Sequence, residues 1–146
     1  MPDGRPCSAC SDVRAIEHLI HEYARLIDLG AFDAVADLFA EGEWFGRKGA
    51  TEIRTWFEEN VILYDGLPRT QHVVSNIDVV IDGNLEAARA HSYITVFQQA
   101  SVDDAITAIT ANFYVDAFAK RGGRWSFATR SIHRRLVGDV TQHRRS

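Results

Sequence analysis

Four side chains in this sequence have types and settings suited to acid–base chemistry: Tyr23, Asp28, His72 and Arg130. Asp28 stands at the end of an amphipathic segment, between Ile27 and Leu29. The helix macrodipole disfavours an acid at a C-terminus, and a partly buried carboxylate without a partner is expensive. Positions that break local rules in this way concentrate at functional sites. An exposed helix-end acid is the competing reading. His72 opens the β-branched run RTQHVVSNIDV, and its ring titrates near neutral pH, so it can act as a general base or acid. Strict alternation groups it with Thr70, Val74, Asn76 and Asp78, a face more polar than that of Val73, Ile77, Val79 and Ile81. A polar-lined pocket, or a bulge near Ser75-Asn76, would reconcile an inward His72 with that pattern; otherwise it is a surface histidine.

The other two are less distinctive. Tyr23 falls on the apolar stripe of the segment that carries Asp28, where a core ring with a satisfied hydroxyl is the ordinary use. Arg130 shares a strand face with Ala128 and Ile132. An arginine there calls for a carboxylate or an anionic ligand, unless it snorkels to solvent. His91, in ARAHSYITVF, is a weaker candidate. Cys7-x2-Cys10 with His18 and His21 has too short a gap for a zinc finger, so no metal is expected. No glycine-rich phosphate loop, nucleophile elbow or kinase signature is present, and no cofactor site is expected.

Positioning these residues requires three helices and a sheet. Val13, Ile16, Ile20, Tyr23 and Ile27 recur at helical spacing, with Ser11 as expected N-cap, Asp12 in the first turn and Gly30 as C-cap. Phe32–Phe39 reads as a second, short helix and Glu43–Phe45 as a short strand. Thr51 is the expected cap of a third helix, which carries Ile53, Trp56, Phe57 and Ile62. The period then changes to two. Strands are expected over residues 70–81, 86–99, 105–120 and 124–137, with Asp82-Gly83 and Gly122-Gly123 as turn signals. Helices followed by hairpin-linked strands make an α+β fold with the helices on one sheet face, and a strongly curved sheet around a helix encloses a pocket.

The 146 residues fit one domain, and 46% hydrophobic with 25% charged residues is a globular composition. Residues 1–10 read as a mobile N-terminal tail, 11–138 as the domain and 139–146 as a basic C-terminal tail. A net charge of −4 argues against a general nucleic-acid binder, although residues 120–146 hold eight basic side chains and one acid. Apolar runs are far shorter than the ~18 residues of a membrane span. No secretory signal is visible, and the cytoplasm is the expected location.

Taken together, HEYARLIDLGAFDAVADLF, RTQHVVSNIDVVIDG and NFYVDAFAKRGGRWSFATRSI resemble the SnoaL-like, scytalone dehydratase-like branch of the nuclear transport factor 2 superfamily. The resemblance spans about residues 11–138. It implies a cystatin-like cone of highly curved antiparallel sheet, closed by helices around a pocket. It also implies an Asp–His dyad at Asp28 and His72, with Tyr23 and Arg130 in supporting catalytic roles. Trp44, Phe39, Phe113, Phe127 and His91 are then candidates for substrate contacts. The activity implied is a cofactor-independent lyase that eliminates water or HX from a small hydrophobic ring compound. An isomerase or cyclase in the same pocket, and a non-catalytic binding or oxygenase accessory subunit, are the alternatives. Relatives of this kind pair through the open sheet face, so a homodimer or homotrimer is expected.

Overall fold

The computed structural model describes residues 7–146. Nine elements follow one another: α1 (Ser8–Asp28), α2 (Phe32–Asp37), β1 (Glu43–Trp44), β2 (Arg47–Lys48), α3 (Ala50–Asn60), β3 (Thr70–Ile81), β4 (Ala87–Gln98), β5 (Thr107–Arg121) and β6 (Arg124–Val137). The three helices pack on an unclosed six-stranded sheet of order β2-β1-β6-β5-β4-β3. The four long strands form the expected antiparallel meander. The sheet as a whole is mixed, because β1 runs parallel to β6 and sets Trp44 opposite Arg130.

α1 begins a turn earlier than its capping residues suggest. Ser11 lies inside it and donates its N–H to the Cys7 carbonyl at 3.1 Å. Asp12 therefore serves no N-terminal turn. Its carboxylate accepts from Lys120 Nζ and Trp125 Nε1, each at 2.8 Å, and ties α1 to the β5–β6 hairpin. These bonds, led by the one from Lys120, hold the Asp12 carboxyl below the usual carboxylate range. Of the expected N-terminal tail, residues 1–6 lie outside the described residues, and Ser8–Cys10 are helical. Likewise Thr51 is helical, with Gly49 at the N-cap of α3.

α1 ends because Gly30 takes φ +68° and its neighbour Ala31 returns its N–H to Leu26 O at 3.0 Å, a left-handed C-terminal motif. No larger residue fits there: a Cβ on Gly30 would stand 2.7 Å from the Gly66 carbonyl oxygen. Ile16, Ile20, Tyr23 and Ile27 bury one face of α1 against the sheet, whose inner face supplies Ile94, Val96, Tyr114, Phe118 and Phe127.

Two features place the site. The first is a bulge in β3. The pairing of β3 with β4 slips between Ser75 and Asp78, and Asn76 adopts φ +52°. The extra residue flips the side-chain parity. Before the bulge Thr70, His72 and Val74 point inward; after it Ile77, Val79 and Ile81 do. His72 thus shares a face with the apolar residues that simple alternation puts opposite it.

The second feature is residues 138–146: the stretch 139–146, expected as a basic tail, packs back on the domain. Gly138 N bonds Ile109 O at 2.8 Å, Tyr64 Oη donates to Gln142 O at 2.6 Å, and Ile62 N bonds His143 O at 3.0 Å. Arg145 Nη1 donates to the carbonyls of Glu58, Glu59 and Val61, the free end of α3. The segment is held by backbone groups that no hydrophobic pattern announces. No helix among the described residues is long and apolar enough to cross a membrane.

Candidate active site

The C-terminus of α1 meets the start of β3 at Asp28. Its carboxylate accepts three hydrogen bonds: from Thr70 Oγ1 at 2.8 Å, from His72 N at 2.8 Å, and from the His72 ring through Nδ1 at 2.6 Å. Three donors from the strand outweigh the unfavourable macrodipole, which is why an acid is stable at this helix end. With Nδ1 held by Asp28, the ring presents Nε2 to the cavity that His72 lines. The His72 side chain is only 6% exposed. Asp28 does not line the cavity and lies behind the ring.

The cavity has a volume of about 90 Å³. Its apolar side is built by Trp44, Trp56 and Phe57, with ring centroids 4.7–5.3 Å apart. Tyr23 also lines it. Its hydroxyl accepts the Trp44 indole N–H at 2.8 Å, so its own proton is available to donate. Burial raises the pKa of Tyr23 and raises that of Tyr114, whose ring lies edge-on to it, still further. Both phenols therefore remain protonated donors near neutral pH.

Of the other residues singled out above, Trp44 lines the cavity and the rest do not. Phe39 and Phe127 stack on each other at 4.5 Å within the core. Phe113 and His91 lie 5.4 Å apart on the opposite face of the sheet, where period-two alternation puts them once Ala90, Ser92, Tyr114 and Asp116 point inward. Arg130 is also off the cavity wall. Its guanidinium makes a fully buried bidentate pair with Asp116, Nε to Oδ1 at 2.8 Å and Nη2 to Oδ2 at 2.6 Å. It is enclosed by the rings of Tyr23, Tyr114 and Phe127 at 4.2–4.7 Å. Burial alone would lower its pKa, but the Asp116 carboxylate outweighs that and holds it above the ordinary value. Its Nη1 lacks a hydrogen-bond partner.

The structure adds residues that the sequence pattern did not single out. Thr110, Asn112 and Tyr114 reach the cavity from successive inward positions of β5, and Arg134 reaches it from β6. Val140, His143 and Arg144 come from the segment that follows β6. Polar residues recurring at period two beside Tyr114 were a readable signal; nothing local marked His143 or Arg144. The His143 imidazole is brought down to about 4 by burial, reinforced by His72 and Arg134 and opposed by Asp28. It is therefore neutral at pH 7. The described residues contain no group of three or more His, Cys, Asp or Glu that could hold a metal ion.

Residues 8–131 match the model of the SnoaL-like domain. The chain belongs to that family. No curated protein sequence matches it. Among solved structures, this SnoaL-like chain is similar to a candidate scytalone dehydratase from Novosphingobium aromaticivorans, at 21% identity and a TM-score of 0.72, over 90% of this chain and 89% of that one. It is as similar, at 20% identity and a TM-score of 0.72, to an NTF2-like protein with a cystatin-like fold from the same organism, over 92% and 88% of the two chains. A candidate aromatic ring hydroxylase from that organism aligns at 20% identity and a TM-score of 0.68, over 91% and 96%. These likenesses show the NTF2-like, cystatin-like fold.

Proposed function

We propose that this SnoaL-like protein is a cofactor-independent lyase that eliminates water or HX from a small hydrophobic ring compound. The observation that carries the reading is the 2.6 Å bond between Asp28 Oδ1 and His72 Nδ1 at the wall of a part-aromatic cavity. Asp28 fixes the tautomer in which Nε2 is the base, and stabilises the imidazolium that forms. Nε2 takes a proton from the carbon next to an electron-withdrawing group. The electrons of that C–H bond become the new C=C bond as the neighbouring C–X bond breaks. X leaves with its electron pair, and a departing hydroxide becomes water by taking a proton from the imidazolium. Tyr23 donates a hydrogen bond to the oxygen on which charge develops. Arg130 acts on this chemistry through Tyr23, by holding its ring.

The test is turnover of a panel of ring alcohols and halides by the wild type and by His72→Ala. The variant should lose about 10²–10⁴ in kcat/KM, the ordinary weight of a general base. A variant with wild-type kcat/KM refutes the assignment. Solvent deuterium in a product of unchanged mass formula would instead identify an isomerase.

We also propose that the open sheet face joins copies of the chain as a homodimer or homotrimer. Val80, Tyr93 and Leu136 are exposed on the sheet, and Phe113 and His91 lie among them, in place of the substrate contacts suggested for the last two. Sedimentation of a monomer alone would end that proposal.

A further inference from the structure

The chain as a whole is acidic, at −4, yet its cavity is lined by two arginines and two histidines and by no Asp or Glu. Asp28 balances part of this from behind His72. Arg134 and Arg144 have no carboxylate within 4.0 Å among the described residues. Arg130, the arginine buried in the aromatic core, has one. Arg144 is also sheltered. Its guanidinium lies 5.2 Å over the Trp56 ring, and its buried Nε has no hydrogen-bond partner. The neighbouring His143 has a buried Nδ1 in the same condition. Buried polar atoms without partners are uncommon, and two of them on adjacent residues that line one cavity, beside the exposed Arg134, point to an absent partner there.

We propose that the ligand of this cavity is a carboxylate carried on a single ring, with the carboxylate received by Arg134 and Arg144 and the ring laid against Trp44, Trp56 and Phe57. Two guanidiniums suit a carboxylate because each offers paired N–H donors in one plane, and a carboxylate has about four lone-pair sites to accept them. His143, neutral at pH 7, adds a hydrogen bond without a further charge to compensate. The volume bounds the ring. About 90 Å³ is smaller than the ~150 Å³ cavity known to take up benzene, so one ring already requires lining side chains to give way and a fused polycycle requires more. The inference rests on the lyase reading for the reaction but not for binding.

Benzoate and its neutral isostere benzamide are the probes, titrated against the intrinsic fluorescence of the three tryptophans, two of which line the cavity, at pH 7. Benzoate should bind at least tenfold tighter in low salt, and 0.5 M sodium chloride should weaken benzoate while leaving benzamide unchanged. In Arg134→Gln/Arg144→Gln, checked for a wild-type unfolding transition, the preference should fall to within about twofold of unity. The wild-type salt comparison stands on its own if that variant does not fold. Equal affinities, a preference that survives both substitutions, or no saturable binding of benzoate would each overturn the proposal. His72→Ala separates the two readings, since it should keep the preference for benzoate while losing turnover. A preserved preference with no ring acid turned over would sink the lyase alone. Turnover of neutral rings that depends on His72, without any preference for acids, would sink the carboxylate alone.

Discussion

Acidification should destabilise this protein in part through His143. Its imidazole is packed against the cavity, where burial, then His72 and Arg134, disfavour the cation, and Asp28 offsets only part of this. The folded value is about 4, against 6.5 for the free side chain. As the pH falls below 6.5 the unfolded chain takes up a proton that the folded chain refuses. Acid thus favours unfolding, and the contribution of neutral His143 is complete above 6.5 and lost as the pH falls towards 4. Each pH unit between the two values is worth 1.36 kcal/mol, so about 2 kcal/mol would be lost between pH 7 and pH 5. Partial solvent access reduces this to about 1–2 kcal/mol. His143→Gln removes the titration and keeps a polar group of similar reach. Urea unfolding of both proteins at pH 7 and pH 5 isolates the term, because other acid effects cancel in the difference of differences. The wild type should lose about 1–2 kcal/mol more than the variant, or about 3–8 °C in Tm. Equal losses would show that His143 is freely hydrated and would refute the reasoning.

Two further outcomes concern stability. Arg130→Met should cost about 3–5 kcal/mol in urea unfolding because it strands the buried Asp116 carboxylate, whereas Arg130→Met/Asp116→Leu should recover most of that loss. A single variant within 1 kcal/mol of wild type would contradict the burial of this pair. Thr70→Val removes one of the three donors to Asp28 and should cost about 1 kcal/mol, while Asp28→Ala leaves the buried His72 N–H and imidazole unpartnered and should cost about 2–3 kcal/mol. Equal effects from the two would mean that the carboxylate does not hold β3.

The parts of the site that sequence reasoning reached are those written in local periodicity. Asp28 stood out because a helix end disfavours acids, and His72 because it sat on the wrong side of an alternating strand. A bulge at Ser75-Asn76 was the physical way to resolve the second conflict, and the backbone turns there. Arg130 was recognised as needing a carboxylate, but its partner depended on the register of β5 against β6, where Asp116 falls opposite it. Phe39 and Phe127 could not be told from wall residues, because one buried ring looks like another until it is known which side of the core it fills. His91 and Phe113 were within reach of simple parity. His143 and Arg144 were not, since they are placed by turns and main-chain bonds to the end of α3 and leave no trace in hydrophobic spacing.

The segment after β6 roofs the cavity from outside the six-stranded sheet. The proposed base, His72, and its carboxylate, Asp28, belong to the helix–sheet scaffold, while His143 and Arg144 belong to a short run of residues held against that scaffold largely through main-chain groups. On the proposed reading, catalytic power and part of the choice of substrate then lie on separate pieces of chain. A lineage could acquire a new ligand through a few changes between residues 139 and 146 while Asp28 and His72 stayed fixed. Grafting that stretch from one relative to another would be a direct way to redirect the scaffold.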